Sequence, residues 1–271
     1  MQTIQRKFSA LNGIRISYLE QGGGEPFVML HGLMSNAWDF GFQFERFSGA
    51  MRCLAPDMRG CGLSHAPDPA RVTLEQAVSD AEAFIESVAP GGKVTLMGHS
   101  FGGVVATELL ARCPQRLNRA VIVAAPAEKL GNPIMKLALP LYRAAAVPLL
   151  NKSLIHFYAL NVNVDPANVT PEIEQLLRMR NRFISRHDAL AMGAYFESMI
   201  DRRIPDLSAA AGVPVLMVFG ARDLLVTEKS GALLEKYLPG ARRVTIRNSR
   251  HSPMYEQPEE FNKILESFLN G

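Results

Sequence analysis

The chain alternates between short apolar stretches and longer amphipathic segments. Phe27–Leu30 is a continuous apolar run, which is typical of a strand buried on both faces of a sheet. Thr73, with Gln76 three residues later, is an N-cap signal and predicts a helix that ends near Val88. The same reading predicts further strands at Met51–Ala55, Val94–Met97, Ala120–Ala124, Val215–Phe219 and Arg243–Ile246, and further helices at Ala37–Phe47, Gly103–Arg112, Glu228–Tyr237 and Glu259–Leu269. Strands and helices that alternate at this spacing favour a parallel sheet with helices on both faces.

The N-terminal part of the chain has the pattern of a β-hairpin. Ile4–Ser9 and Ile14–Leu19 are strand-like and flank the turn Asn12-Gly13. The glycines at 22–24 precede a strand, whereas a phosphate-binding loop follows one, so we interpret them as a connection. The sequence therefore predicts two antiparallel strands before the parallel part of the sheet.

The alternation of strands and helices stops between residues 126 and 205. This segment contains prolines at 126, 133, 140, 148, 166, 171 and 205, and it has no convincing strand pattern. Helix-like stretches lie between the prolines at Ile134–Ala146, Pro171–Ile184 and Asp188–Ile200. The sequence therefore predicts a core domain of residues 1–125 and 206–271, interrupted by a helical insertion at 126–205.

Composition and charge restrict the class of protein. The 271 residues are 48% hydrophobic and 20% charged, as in a globular protein. A formal charge of +3, without a run of five or six basic residues, excludes nucleic acid as an expected partner. Three cysteines without a paired motif are typical of free thiols in a reducing compartment. Together with the lack of an apolar signal peptide or membrane span, they lead us to expect a cytoplasmic protein.

The turn between the predicted strand Val94–Met97 and the helix Gly103–Arg112 carries a candidate nucleophile. Its sequence is Gly98-His99-Ser100-Phe101-Gly102. A sharp strand-to-helix turn strains its central residue and needs small residues two positions before and after it. Such a turn exposes the serine oxygen near the positive end of the helix. Ser100 is therefore the expected nucleophile.

A serine hydroxyl needs a base, and the base needs an acid that orients it. His251 lies in the loop between the last predicted strand and the last helix. Asp223 follows the strand Val215–Phe219, at the end of a strand where sites in open α/β sheets are found. We interpret His99 as structural, because it points elsewhere on the turn. The other histidines are interpreted as turn, surface or cap residues: His31, His65, His156 and His187.

The order Ser100, Asp223, His251 resembles the order used by α/β-hydrolases, and the resemblance covers essentially the whole chain. Other matching positions are His31-Gly32, Asp57-Met58-Arg59-Gly60-Cys61-Gly62-Leu63-Ser64 and the Gly-x-x-Asp turn that ends at Asp223. The resemblance implies the α/β-hydrolase fold: a mostly parallel eight-stranded sheet flanked by helices. It also implies that segment 126–205 is a helical cap inserted after the sixth strand.

The resemblance also assigns supporting residues. The backbone N–H groups of Leu33 and Phe101 would form the oxyanion hole. Glu128 is an alternative acid, because some members of the superfamily place it there. Asp57 and Arg59 look structural. No metal or organic cofactor is implied.

The residue at the turn distinguishes branches of the superfamily. Haloalkane dehalogenases and epoxide hydrolases are similar to this sequence but attack through an aspartate, so Ser100 argues against both activities. Met34 disfavours the haloperoxidase-like branch, which tends to have a proline there. Ser252 lies where carbon–carbon bond hydrolases usually have an aromatic residue, which weakens that alternative and leaves it open. The favoured function is therefore ester hydrolysis by a serine carboxylesterase-like enzyme, with a small lipase, a thioesterase or a lactonase left open. A non-catalytic ligand-binding member of the fold is the other alternative.

An apolar pocket is expected around these motifs, and it favours a neutral acyl or aromatic ester as the small-molecule substrate. The candidate pocket residues are Met34, Trp38, Leu225 and Val226. Arg178, Arg180, Arg182 and Arg186 form a basic stretch that we interpret as a solvated helix face. The alternative is attraction of acidic groups or surface contact with a membrane, without stable insertion. The oligomeric state is left open.

Overall fold

Eight strands form one sheet in the computed structural model, which describes residues 3–127 and 152–271. The strands are β1 Gln5–Leu11, β2 Ile14–Gln21, β3 Glu25–Leu30, β4 Met51–Pro56, β5 Val94–His99, β6 Leu117–Val123, β7 Val215–Gly220 and β8 Arg242–Ile246. The helices are α1 Gly41–Phe47, α2 Leu74–Val88, α3 Phe101–Arg112, α4 Lys152–Tyr158, α5 Pro171–Asn181, α6 Arg186–Met199, α7 Glu228–Tyr237, α8 Pro253–Glu256 and α9 Pro258–Asn270.

The sheet has the order β1-β2-β4-β3-β5-β6-β7-β8. β2 is antiparallel to both of its neighbours, and the pairs from β4 to β8 are all parallel. The sequence-based prediction of a mostly parallel eight-stranded sheet of the α/β-hydrolase type is confirmed. All the strands from β3 to β8 end at the same edge of the sheet, which brings the loops that follow them together.

The central strands are apolar on both faces because each face packs against helices. In β3, Val28 and Leu30 belong to one hydrophobic cluster, whereas Phe27 and Met29 belong to the other. β7 alternates in the same way. Residues of α2, α3, α6 and α7 join the first cluster, and residues of α1, α5 and α9 join the second. A strand between two helical layers buries side chains on both faces, and its sequence is therefore a continuous apolar run.

Most predicted helices appear within a few residues of their expected bounds. The Thr73 hydroxyl accepts from the Gln76 N–H, and the Gln76 side chain accepts from the Thr73 N–H, so the predicted capping box opens α2. The single helix predicted for Ala37–Phe47 is instead a 3-10 turn, Ala37–Phe40, followed by α1. The Asn36 side chain caps this turn by accepting from the Trp38 N–H, which orients the chain after β3.

Between β6 and β7 the described residues contain the helices α4, α5 and α6 and no strand. The predicted helix Ile134–Ala146 lies outside the described residues. The division into a core and a cap at 126–205 remains a prediction. In the part of the chain that the structure describes, no helix is long and apolar enough to cross a membrane.

Candidate active site

The turn between β5 and α3 holds Ser100 in a left-handed backbone conformation, with φ 52° and ψ −114°. Its N–H donates to the Val123 carbonyl at 2.8 Å, which ties the turn to β6. A Cβ on Gly98 would overlap the carbonyl of Gly102, and a Cβ on Gly102 would overlap the carbonyl of Leu30. The two glycines are therefore required because strand, helix and neighbouring strand approach one another closely here.

Ser100, His251 and Asp223 lie in one line of hydrogen bonds. The distance from Ser100 Oγ to His251 Nε2 is 3.0 Å, and the distance from His251 Nδ1 to Asp223 Oδ2 is 2.8 Å. A carboxylate only accepts, so Nδ1 carries the hydrogen and Nε2 has the free lone pair. His251 and Asp223 are buried, and Ser100 is partly exposed. The arrangement can take a proton from Ser100 and hold the resulting charge on His251.

Backbone groups orient Asp223 and His251 in this line. The Asp223 Oδ1 atom accepts from the N–H groups of Leu225 at 2.7 Å and Val226 at 2.9 Å. The N–H of His251 donates to the Asn163 carbonyl at 3.1 Å, from the segment that follows α4. Sequence reasoning missed these supports, because a backbone hydrogen bond leaves no preference for a side chain in the sequence.

His99 lies directly behind His251. Its Nε2 is 2.9 Å from the His251 carbonyl oxygen, and the two ring centroids are 5.0 Å apart. Burial, together with the neighbouring His251, lowers the pKa of His99 to about 4, so the ring is neutral near pH 7. A neutral imidazole carries one ring hydrogen, and in His99 this hydrogen is on Nε2, which donates to the His251 carbonyl. The Nδ1 atom of His99 therefore carries no hydrogen.

The loop after β3 lies beside the Ser100 turn. His31 is buried; its Nε2 accepts from the Met58 N–H at 2.9 Å, and its Nδ1 is 2.7 Å from the Gly32 carbonyl. His31 therefore belongs to the turn after β3, as one of the expected interpretations had it, but it is buried and is not a surface residue. Leu33 is partly buried, and a Cβ on Gly32 would lie 3.2 Å from the Cβ of Ser100. Phe101 is the first residue of α3, so its N–H has no partner within the helix.

The four candidate pocket residues lie in different environments. Met34 and Trp38 are partly buried, and Met34 has a positive φ of 52°. Leu225 is exposed on the loop that carries Asp223. The side chain of Val226 is buried in the first hydrophobic cluster, and its N–H contacts Asp223. Val226 therefore contributes to the site through its backbone.

The interpretation of the basic stretch on α5 and the residues after it as a solvated face is wrong for one residue. Arg178, Arg182 and Arg186 are exposed, but Arg180 is only 2% exposed. The Nη1 atom of Arg180 is 3.3 Å from Oδ1 of Asp39, which is also buried. The helical period does not reveal this, because the partner of Arg180 lies 141 residues earlier in the chain.

Of the remaining candidates, Asp57 and Arg59 make structural contacts, and Glu128 is not among the described residues. Asp57 is buried and accepts from the N–H groups of Ala37 and Leu63, and Arg59 forms a bidentate pair with Asp80 at 2.7 Å. Glu128, the alternative acid, lies outside the described residues. Within residues 3–127 and 152–271, no group of three or more His, Cys, Asp or Glu side chains could hold a metal ion.

A serine on a strained strand-to-helix turn of a mostly parallel eight-stranded sheet defines the α/β-hydrolase class of proteins. Comparison of sequences agrees with this, since residues 27–264 match the model of the Alpha/beta hydrolase family. The chain belongs to that family of hydrolases.

Several known proteins are similar to the chain. The pimeloyl-[acyl-carrier protein] methyl ester esterase of Aliivibrio fischeri is 25% identical over 258 residues, which are 92% of this chain and 95% of that protein. The cis-3-alkyl-4-alkyloxetan-2-one decarboxylase of Shewanella oneidensis is 35% identical over 123 residues, 44% of this chain, and the match spans only 38% of that protein. A thermophilic esterase from Thermogutta terrifontis superposes with a TM-score of 0.81 at 22% identity, covering 98% of both chains, which shows the fold.

Proposed function

We propose that the protein is a serine hydrolase that cleaves carboxylic esters through an acyl-enzyme. The observation that carries this proposal is the line of hydrogen bonds from Ser100 through His251 to Asp223, with distances of 3.0 and 2.8 Å. Both distances are within hydrogen-bond reach, which a nucleophile and its base require.

In the proposed mechanism, His251 takes the proton of Ser100 as the serine oxygen attacks the ester carbonyl. His251 then gives that proton to the leaving alcohol, and the acyl group remains on Ser100. His251 then takes a proton from a water molecule as that water attacks the acyl carbon, and it returns the proton to Ser100 Oγ as the acid is released. Asp223 keeps the hydrogen on Nδ1 and stabilises the cationic ring in both steps.

The proposed oxyanion hole consists of the N–H groups of Leu33 and Phe101. Each tetrahedral intermediate places negative charge on the former carbonyl oxygen, and two N–H donors aimed at it lower the barrier. The first-turn position of Phe101 in α3 supports its role, because the N-terminal end of a helix also favours negative charge. Removing one such donor costs about 10²–10³ in kcat in other hydrolases.

The proposed substrate is an ester with a short to medium acyl chain or an aromatic group. Support comes from the partly buried Met34 and Trp38 and from the exposed Leu225 on the Asp223 loop. A serine nucleophile favours acyl transfer over the epoxide and halide chemistry of aspartate-bearing relatives. The name of the Aliivibrio relative, a methyl ester esterase, agrees with an ester substrate.

Ser100→Ala is the decisive test of this proposal. We expect hydrolysis of p-nitrophenyl butyrate to fall by about 10³-fold or more, because the nucleophile is lost and only binding and the oxyanion donors remain. A fluorophosphonate probe should label the wild-type protein on Ser100 and leave the variant unlabelled. Ser267→Ala, an exposed serine on α9, is the matched control and should keep both properties. Near wild-type activity in Ser100→Ala would overturn the proposal.

Product analysis separates ester hydrolysis from the alternatives. A panel of esters graded by acyl length, with thioesters, lactones and a vinylogous diketone, would measure kcat/KM for each bond type. The highest value for an ester supports the proposal, and a higher value for carbon–carbon cleavage would replace it. A protein that binds these compounds without labelling on Ser100 would be a ligand-binding member of the fold.

A further inference from the structure

A buried ion pair joins α5 to the turn after β3. The Arg180 guanidinium is 3.3 Å from Asp39 and 3.4 Å from the Tyr255 hydroxyl, and its Nε and Nη2 both donate to the Asn181 side chain at 3.0 Å. Asn36 donates to the Arg180 carbonyl at 2.9 Å. Two charges without access to water are costly unless each neutralises the other, so this pair needs both partners.

The ion pair lies next to the group that supports the catalytic histidine. The second oxygen of Asp39, Oδ2, is 3.9 Å from Nδ1 of His99. His99 Nδ1 is buried and has no hydrogen-bond partner within the described residues, and the opposite nitrogen donates to the His251 carbonyl at 2.9 Å. A continuous chain of contacts therefore runs from Arg180 through Asp39 and His99 to His251.

The groups that face His99 come from several elements. Asp39 lies on the 3-10 turn after β3, His251 in the loop after β8, and Asp223 in the loop after β7. Gly32 covers the Nδ1 edge, where a Cβ would lie 3.2 Å away. Asp39 is the carboxylate that Nδ1 itself approaches, and it would attract a second proton to His99 if its own charge were not neutralised.

We propose that the buried Arg180–Asp39 pair is a positioning element for His251. Burial already disfavours a charge on His99, and Arg180, by neutralising Asp39, keeps that carboxylate from attracting a second proton to the ring. An uncharged His99 donates its one hydrogen to the His251 carbonyl and places no positive charge beside a ring that becomes cationic during catalysis. The inference rests on the proposed function, because it concerns the same histidine.

Loss of Arg180 alone is the most informative change. In Arg180→Met the carboxylate of Asp39 is unpaired, and it would recruit a proton to His99 Nδ1. The cation then lies 5.0 Å from the His251 ring, between centroids, and opposes the cationic form that proton transfer requires. We expect kcat for p-nitrophenyl butyrate to fall about 10- to 100-fold at pH 6, on the basis of tenfold per pKa unit, with KM changed less than about threefold. The loss should disappear above the new pKa of His99.

Two further variants distinguish the effect of the charge of Arg180 from the effect of its shape. Arg180→Lys keeps a positive charge opposite Asp39, so kcat should stay within about fivefold of wild type. If the shape of the guanidinium mattered instead of its charge, Arg180→Lys would lose as much activity as Arg180→Met. The double variant Arg180→Met with Asp39→Asn has neither charge, and kcat should recover because His99 is neutral again. Arg178→Met removes an exposed arginine of the same helix, which pairs with Glu174, and is the matched control.

The protonation of His99 is measured directly by NMR titration of histidine ring signals, assigned with a His99→Gln variant. The expected result is a clear rise of the His99 pKa in Arg180→Met and no rise in Arg180→Lys or the double variant. An unchanged His99 pKa, or a loss of kcat in Arg180→Met that is equal at pH 6 and pH 9, would overturn the inference. If Arg180→Met does not fold, the other two variants still test the inference. The inference is overturned if the double variant does not recover folding and kcat, or if Arg180→Lys does not keep them.

The two proposals fail in different ways. Near wild-type activity in Ser100→Ala overturns the proposed function, while the NMR titration still tests the influence of Arg180 on His99. An inactive Ser100→Ala together with an unchanged Arg180→Met overturns only the positioning role.

Discussion

At the scale of single residues, the site depends on one strained backbone and two close contacts. Ser100 has a φ of 52°, which a residue with a side chain adopts at a cost of about 1–3 kcal/mol. The surrounding structure imposes this conformation: Gly98 and Gly102 allow β5 and α3 to approach, and the Ser100 N–H donates to β6. As a result, Ser100 Oγ lies 3.0 Å from His251 Nε2.

The assignment of the acid is also a residue-scale prediction. Asp223→Asn should lower kcat by about 10³–10⁴-fold, because an amide can hold His251 in the wrong tautomer and cannot stabilise its cation. Glu128→Gln should leave kcat within about threefold of wild type. Both variants are compared with wild type by p-nitrophenyl butyrate hydrolysis. The opposite ranking of the two losses would make Glu128 the acid.

At the scale of elements, the N-terminus of α6 is hydrogen-bonded to the loop after β4. Asp188 forms a capping box with Ser185, and its other oxygen accepts from the Gly62 N–H at 2.8 Å. Burial raises the pKa of Asp188 to about 6, although these hydrogen bonds favour the charged form. The contact therefore joins a helix between β6 and β7 to the loop after β4 at an energetic cost above pH 6.

Asp188→Asn tests this contact through its pH dependence. A carboxyl whose pKa is raised on folding stabilises the protein most below its unfolded pKa, and this contribution is lost as pH rises through about 6. The free energy of unfolding of wild type minus that of Asp188→Asn should fall by roughly 2–3 kcal/mol between pH 4 and pH 7. Urea unfolding of both proteins at the two pH values measures it, and a difference independent of pH would contradict the expectation.

At the scale of the whole molecule, the helices between β6 and β7 belong to the same hydrophobic clusters as the sheet. Tyr195 of α6 is completely buried, its ring lies 4.6 Å from that of Phe101, and its hydroxyl donates to the Arg59 carbonyl at 2.8 Å. On the opposite face, Ile173 and Leu177 of α5 join the second cluster. These helices should therefore unfold together with the sheet.

Tyr195→Ala should lower the free energy of unfolding by about 3–5 kcal/mol, because it leaves a cavity and an unsatisfied carbonyl. Far-UV circular dichroism and the fluorescence of Trp38, the only tryptophan, should report one coincident transition in urea. Tyr237→Ala, at a tyrosine that is 44% exposed, is the control and should change stability by less than about 1 kcal/mol. Separate transitions for the two probes would show that the helices fold independently.

Most strands and helices could be predicted from the sequence, because their signals are local. The apolar run of β3 and the capping box of α2 each depend on neighbours within a few residues. The prediction was wrong where long-range contacts decide the outcome. The helix expected at Ala37–Phe47 starts with a 3-10 turn, in which Asp39 faces Arg180 from a distant part of the chain.

The sequence alone indicated Ser100 as the candidate nucleophile, because a sharp turn and its small residues leave a recognisable pattern. Asp223 and His251 were indicated by their places after predicted strands and by the resemblance to α/β-hydrolases. Only the tertiary structure decided that these three side chains form one line, that Leu225 and Val226 hold Asp223 through backbone N–H groups, and that Arg180 is buried. The physical reason is that burial and charge pairing depend on which distant segments share a small volume, whereas periodicity and turn chemistry depend on adjacent residues.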